Sequence, residues 1–215
     1  MFKDVNELPT AFAQRLTVPP DAAGLPAESA WKKSPDVRFD HDWQGQNADP
    51  DRATKVQLLW TPDTLFLMFQ AKYRNITVFS DAREDGWRDE LWNSDVAEVF
   101  LQPDSRDPWK YKEFEVSPNG FWIDLDIINR RHTELHSNPR RRVVQDPLAK
   151  TWTAELAIPM LSLTPHFDAT QSWRVNFFRV EGDAEPRFYS AWSPTYSREP
   201  DFHVPGAFGK LVFRE

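Results

Sequence analysis

The chain has 215 residues, a net charge of -7 and no cysteine. Its acidic balance argues against nucleic acid or an anionic membrane as partner, because phosphate binding rests on a basic surface. The missing Cys excludes disulfides, thiolate metal sites and Cys nucleophiles. Ten Trp and sixteen Phe supply more flat side chains than a core of this size ordinarily uses, so some rings are expected at the surface for a purpose.

In chain order, residues 1–30 are rich in Pro and Ala, poor in large apolar residues, and read as an arm or a short edge strand. The start "MFKDVNELPTAFAQRL" has no apolar h-region, and no later run approaches the roughly 20 residues of a membrane span. The chain therefore reads as soluble, with no signal peptide of its own, and its compartment is left open. A single domain is expected over 31–215. "KVQLLW" and "LFLMFQAKY" flank "TPD", a hairpin signature with Pro62 and Asp63 in the turn. "VAEVFLQP", "YKEFEVSP", "FWIDLDII", "RRVVQ", "TWTAELAIP", "WRVNFFRVEG", "FYSAWSP" and "FGKLVF" follow as strands, "IPMLSL" as one helical turn, and residues 80–94 as a long loop. Eighteen Pro interrupt every helical period. About ten short strands predict an all-β fold, a two-sheet antiparallel β-sandwich of the jelly-roll or immunoglobulin-like kind with little helix.

Strand side chains alternate sides. Glu98 therefore shares a face with Val96 and Phe100, Tyr111 with Glu113 and Glu115, and Trp122 with Asp124 and Asp126. If these strands are neighbours, one face carries carboxylates and rings over an apolar underside. Read blandly, Glu113, Glu115, Asp124 and Asp126 are the solvated outer face of a sandwich. Glu98 stands apart, because a carboxylate among apolar neighbours must find partners or cost several kcal/mol. Trp92, six residues earlier in a polar loop, has no obvious core to enter. Trp plus Glu supplies the two contacts a sugar needs: a flat face for the C–H side of the ring, and acceptors for vicinal hydroxyls. Arg174 and Asn176 share a face of "WRVNFFRV" and are placed to donate to hydroxyls, while Trp192, on a strand with Phe188, reads as core.

The same acids suit a glycoside hydrolase, which needs two carboxylates roughly 5 to 10 Å apart, although a regular sheet face lacks the apolar pocket that raises one pKa. A structural or interaction module is the third reading. No cofactor is required. Calcium, which takes about six to eight oxygens, finds partial sites in "QNADPDR" at 46–52 and in Asp124 with Asp126. The basic stretch around Arg140–Arg142 reads as a solvated loop.

The ordered series "LLWTPDTLFLMFQAKY", "LWNSDVAEVFLQPD", "YKEFEVSPNG", "WTAELAIPML", "WRVNFFRVEG", "YSAWSPT" and "FHVPGAFGKLVF" resembles the family 9 carbohydrate-binding modules and their relatives among the DOMON-like β-sandwiches. The resemblance runs from about Trp31 to Phe213. It implies a non-catalytic domain that holds one or two sugar units at a glycan end between stacked rings, with structural calcium elsewhere in the fold. It also implies a secreted or periplasmic setting, a role in polysaccharide degradation or uptake, and a larger glycan-active enzyme or system as partner. It puts one ring on Trp92, six residues before Glu98, and the second on Phe202, counted back from Phe208. It implies an Arg where this chain has Glu115, which makes the site more acidic here. His203, in the "FHVPGAFG" stretch, joins the expected lining.

Overall fold

The computed structural model describes residues 8–215; residues 1–7, the start of the expected arm, lie outside them. Thirteen strands build the fold. They are β1 (Thr10–Arg15), β2 (Asp36–Phe39), β3 (Thr54–Thr61), β4 (Thr64–Lys72), β5 (Val96–Gln102), β6 (Lys110–Val116), β7 (Trp122–Ile128), β8 (Arg131–Glu134), β9 (Arg140–Asp146), β10 (Thr151–Pro159), β11 (Trp173–Glu181), β12 (Phe188–Ala191) and β13 (Gly209–Arg214). Among the described residues, two single-turn helices, α1 (Glu28–Trp31) and α2 (Met160–Leu163), and three 3-10 turns, at Pro50–Arg52, Leu91–Asn93 and Pro205–Ala207, complete the regular structure. Every strand segment expected between residues 55 and 213 is present, and Pro62 and Asp63 form the two-residue turn that pairs Thr61 with Thr64. Pro presets φ for such a turn.

The architecture departs from two separate antiparallel sheets. Hydrogen bonds run without a break through β8-β7-β6-β5-β11-β13-β1-β3-β4-β10-β9, with β12 on β11 and β2 on β3. The link is β1, which pairs in parallel with both β13 and β3. The N-terminal strand is thus interior to the sheet rather than at its edge. Its sequence, "TAFAQR", explains both the fold and the misleading composition: Ala11 and Ala13 are fully buried, and small side chains suit a strand at the bend between two facing halves. The two ends of this path, β8 and β9, carry "RHTE" and "RRRVVQD", charges of the kind that discourage edge-to-edge pairing.

Because the sheet curls, its two halves face each other across one apolar core. Val99, Phe114 and Phe177 from one half meet Leu67, Phe69 and Trp152 from the other, with Phe69 and Phe177 edge to face at 6.3 Å. On the outer side of β5, β6, β7 and β11 lies a second cluster, including Val96, Phe100, Ile123, Leu125 and Phe178. It is roofed by the segment between β4 and β5, the β11–β12 turn, and the segment between β12 and β13. Gly209 opens β13 because a Cβ there would stand 2.5 Å from the Pro9 carbonyl oxygen and from the Trp192 ring. The "FG" pair is therefore a packing requirement that fixes where the last segment rejoins the sheet.

Candidate functional site

The outer cluster contains the charged residues that an apolar layer should exclude. On β5, Glu98 lies opposite Glu115 of β6, and Phe100 lies opposite Glu113. Across β6–β7, Glu113 faces Leu125 and Glu115 faces Ile123; across β5–β11, Glu98 faces Phe178. Glu98, Glu113 and Glu115 are 2%, 3% and 1% exposed, so they are not the solvated face that the bland reading expects. The register also corrects the grouping of five acids. Asp124 lies opposite Phe114 and Asp126 opposite Lys112, which puts both on the other face of the sheet. Asp124 accepts from the Ser137 amide and hydroxyl at 2.6 and 2.5 Å, and Asp126 accepts from Lys112 Nζ at 2.6 Å. These two metal candidates do not join the three glutamates.

A cavity of about 300 Å³ opens above the glutamates. Trp92, Glu98, Glu113, Phe202 and His203 line it, together with Arg187, Tyr189 and His132. Trp92 sits in a 3-10 turn, Leu91–Asn93, pinned on both sides. Leu91 is fully buried, and beyond the turn the Ser94 hydroxyl and the Asp95 amide donate to the Thr77 carbonyl at 2.6 and 3.0 Å. Trp92 is left half-buried, its ring edge to face with His132 at 5.9 Å. Phe202 lies parallel to Phe178 at 4.2 Å, which leaves its other face for the cavity. His203 accepts or donates at Nδ1 with Tyr111 Oη, 2.7 Å away. Arg130 donates to Asp201 Oδ2 at 2.9 Å and to the His203 carbonyl at 3.1 Å, holding this segment against the sheet.

Arg187 reaches across the roof. Its three guanidinium nitrogens donate to the carbonyls of Gly182, Trp92 and Ser94 and to the Tyr189 hydroxyl. Beneath it, burial pushes the carboxyls of Glu98 and Glu115 well above the usual carboxylate range, and neighbouring carboxylates push the same way: Glu113 acts on Glu98, and both Glu98 and Glu113 act on Glu115. Arg187 opposes the shift. Buried carboxyls facing one another favour the neutral form.

Residues 24–215 match the family model described as "Carbohydrate family 9 binding domain-like". The chain belongs to this family. Family 9 binding domains are non-catalytic modules, as the sequence resemblance implies. A protein of Arthroderma benhamiae named "Extracellular protein" is 28% identical over 197 residues, which cover 82% of this chain and 85% of the relative. Among solved structures, a candidate carbohydrate-binding protein from Bacteroides uniformis aligns with a TM-score of 0.75 at 17% identity, covering 95% of this chain and 99% of that one. A family 9 module from Caldicellulosiruptor kristjanssonii in complex with glucose aligns with a TM-score of 0.64 at 12% identity, covering 96% of each chain. The same organism's module in complex with cellotriose aligns at 0.63, with 12% identity and coverage of 96% and 94%. At these identities the solved structures establish the shared fold.

Of the residues expected to form the family 9 site, Trp92, Glu98, Phe202 and His203 come together at the cavity. Glu115 lies beneath it. Arg174 and Asn176 do share the face of Glu98, but both serve the scaffold. Arg174 donates to the carbonyls of Phe208 and Gly209, and Asn176 is fully buried, donating to the Ser193 carbonyl and accepting from the Phe177 and Ser193 amides. Trp192 packs in the inner core against Phe177. Sequence reasoning missed Arg187, which reaches the cavity from the β11–β12 turn and leaves no periodic signal, and gave no role to Tyr189, which lies on β12. It also undervalued Glu113, although its parity with Glu115 was legible.

Proposed function

We propose that this family 9 domain binds the terminal sugar of a glycan in the cavity above β5 and β6, without chemical conversion. The observation that carries the reading is the convergence of Trp92, Phe202 and Glu98 on one cavity. Two rings from separate segments offer flat apolar surface, and Glu98 and Glu113 offer acceptors for hydroxyls. A cavity of about 300 Å³ is at the small end of ligand sites, which suits a chain end rather than an extended strand of polysaccharide. The glucose and cellotriose held by the structural neighbours support a carbohydrate as the class of ligand. A role in polysaccharide breakdown or uptake, beside a glycan-active enzyme, follows from the same reading. The name of the Arthroderma relative supports an extracellular setting.

Calorimetric titration with a panel of neutral, acidic and amino oligosaccharides tests this. At least one sugar should saturate the wild type, with affinity at least tenfold weaker in Trp92→Ala and in Glu98→Gln. No heat with any glycan in the panel would remove the proposal. Turnover of an aryl glycoside by the wild type, lost in Glu98→Gln, would replace it with hydrolysis.

A further inference from the structure

The floor of the cavity carries a charge arrangement that sugar binding leaves unexplained. Glu98 and Glu115 stand directly opposite each other on neighbouring strands, with Glu113 two residues along on the same face. Like charges in that position destabilise a sheet, and a buried carboxylate without a partner is costly. Both side-chain oxygens of Glu115, and Oε2 of Glu113, are buried without a hydrogen-bond partner. Arg187 is the one Lys or Arg lining the cavity, and its guanidinium is spent on three carbonyls and a hydroxyl.

We infer that Glu98, Glu113 and Glu115 hold a hard divalent cation of the calcium class at the floor of the cavity. One oxygen from each side chain can be chosen so that all lie within 4.8 Å of one another. That is the greatest separation of two oxygens bound to one ion at about 2.4 Å, the distance that calcium prefers. An all-carboxylate donor set, with neither His nor Cys in it, selects a hard cation over zinc or copper. The unpartnered oxygens of Glu115 lie within this set and are shielded from solvent, so the fold has already met the cost of desolvating them. An ion would offset the repulsion among the three acids. Three carboxylates leave part of the coordination shell of about six to eight oxygens open. The open side faces the cavity, since Glu98 and Glu113 line it and Glu115 lies behind. Water or ligand hydroxyls complete the shell there. The cation site stands on the three acids alone; the hydroxyl contact rests on the sugar reading.

The test is calorimetric titration of the full chain, stripped with EDTA, with calcium chloride and separately with manganese chloride. The variants are Glu115→Gln and Glu113→Gln, with Asp168→Asn as a remote control and circular dichroism as the check on folding. One ion per chain is expected, bound at least tenfold more weakly by either Gln variant and unchanged in Asp168→Asn. Absence of saturable uptake of both ions by the folded wild type overturns the inference, whatever the variants do. Equal affinity in the wild type and both Gln variants overturns it as well. The same panel of oligosaccharides titrated into calcium-loaded and EDTA-treated protein separates the two proposals. Calcium uptake that the Gln variants weaken, with no binding of any sugar in the panel, upholds the cation site and removes the sugar reading, whereas equal sugar affinity with and without calcium overturns the hydroxyl contact.

Discussion

Two buried acidic groups flank the start of β5, and the fold treats them in opposite ways. Asp95, fully buried, accepts from the Gly182 amide at 2.6 Å and the Thr77 amide at 3.2 Å, and its charge faces Arg179 at 3.9 Å. Three residues later Glu98 meets two more carboxylates and no bonded cation. Burial raises the carboxyls of both Asp95 and Glu98. At Asp95 the next influence, Arg179, pulls back down; at Glu98 the next influence, Glu113, pushes further up. The first acid is compensated from within the protein and ties the β11–β12 turn to the segment that carries Trp92. The second is left for something outside the protein to compensate. A buried charge with its own partners argues for architecture, and one without them, beside a cavity, argues for a ligand.

That contrast can be broken or sharpened by substitution. The largest effect is expected at Asp95→Ala, which takes away one of the two carboxylates beside Arg179, leaving Glu181 at 3.6 Å, and frees two amides; breaking a buried pair of this kind costs about 3–5 kcal/mol, measured by denaturant unfolding. A loss below about 1 kcal/mol would make Asp95 no more structural than a surface ion pair. Asn176→Ala is next, removing three hydrogen bonds from a fully buried amide on the same face as Glu98, at about 1–3 kcal/mol. Glu115→Gln should run the other way. In EDTA, relief of the cross-strand repulsion should raise stability by up to about 1 kcal/mol, and a clear destabilisation would mean that the three acids are a structural network after all.

The sequence made the strands and the faces of β5, β6 and β11 legible, because apolar alternation is a local signal. It also marked Trp92 and Glu98 as out of place. Register was not legible: whether Asp124 or Ile123 joins Glu115 depends on how β6 and β7 align, and parity alone is silent on that. Composition misled at β1, where small residues suit a buried bend yet look like an arm. Arg174 and Asn176 were correctly placed on a face but not in a role, since their carbonyl partners come from the remote segment 193–209. The contact of Arg187 with the Trp92 carbonyl spans 95 residues and has no sequence signature.

The central claim is that the cavity above Glu98 receives a sugar. A crystal structure with a panel oligosaccharide that saturates the wild type in solution tests it most directly. The expected result is a terminal ring against Trp92 and Phe202, with hydroxyls at hydrogen-bonding distance from Glu98. Density for that sugar elsewhere on the molecule, with the cavity holding only solvent, would contradict the account.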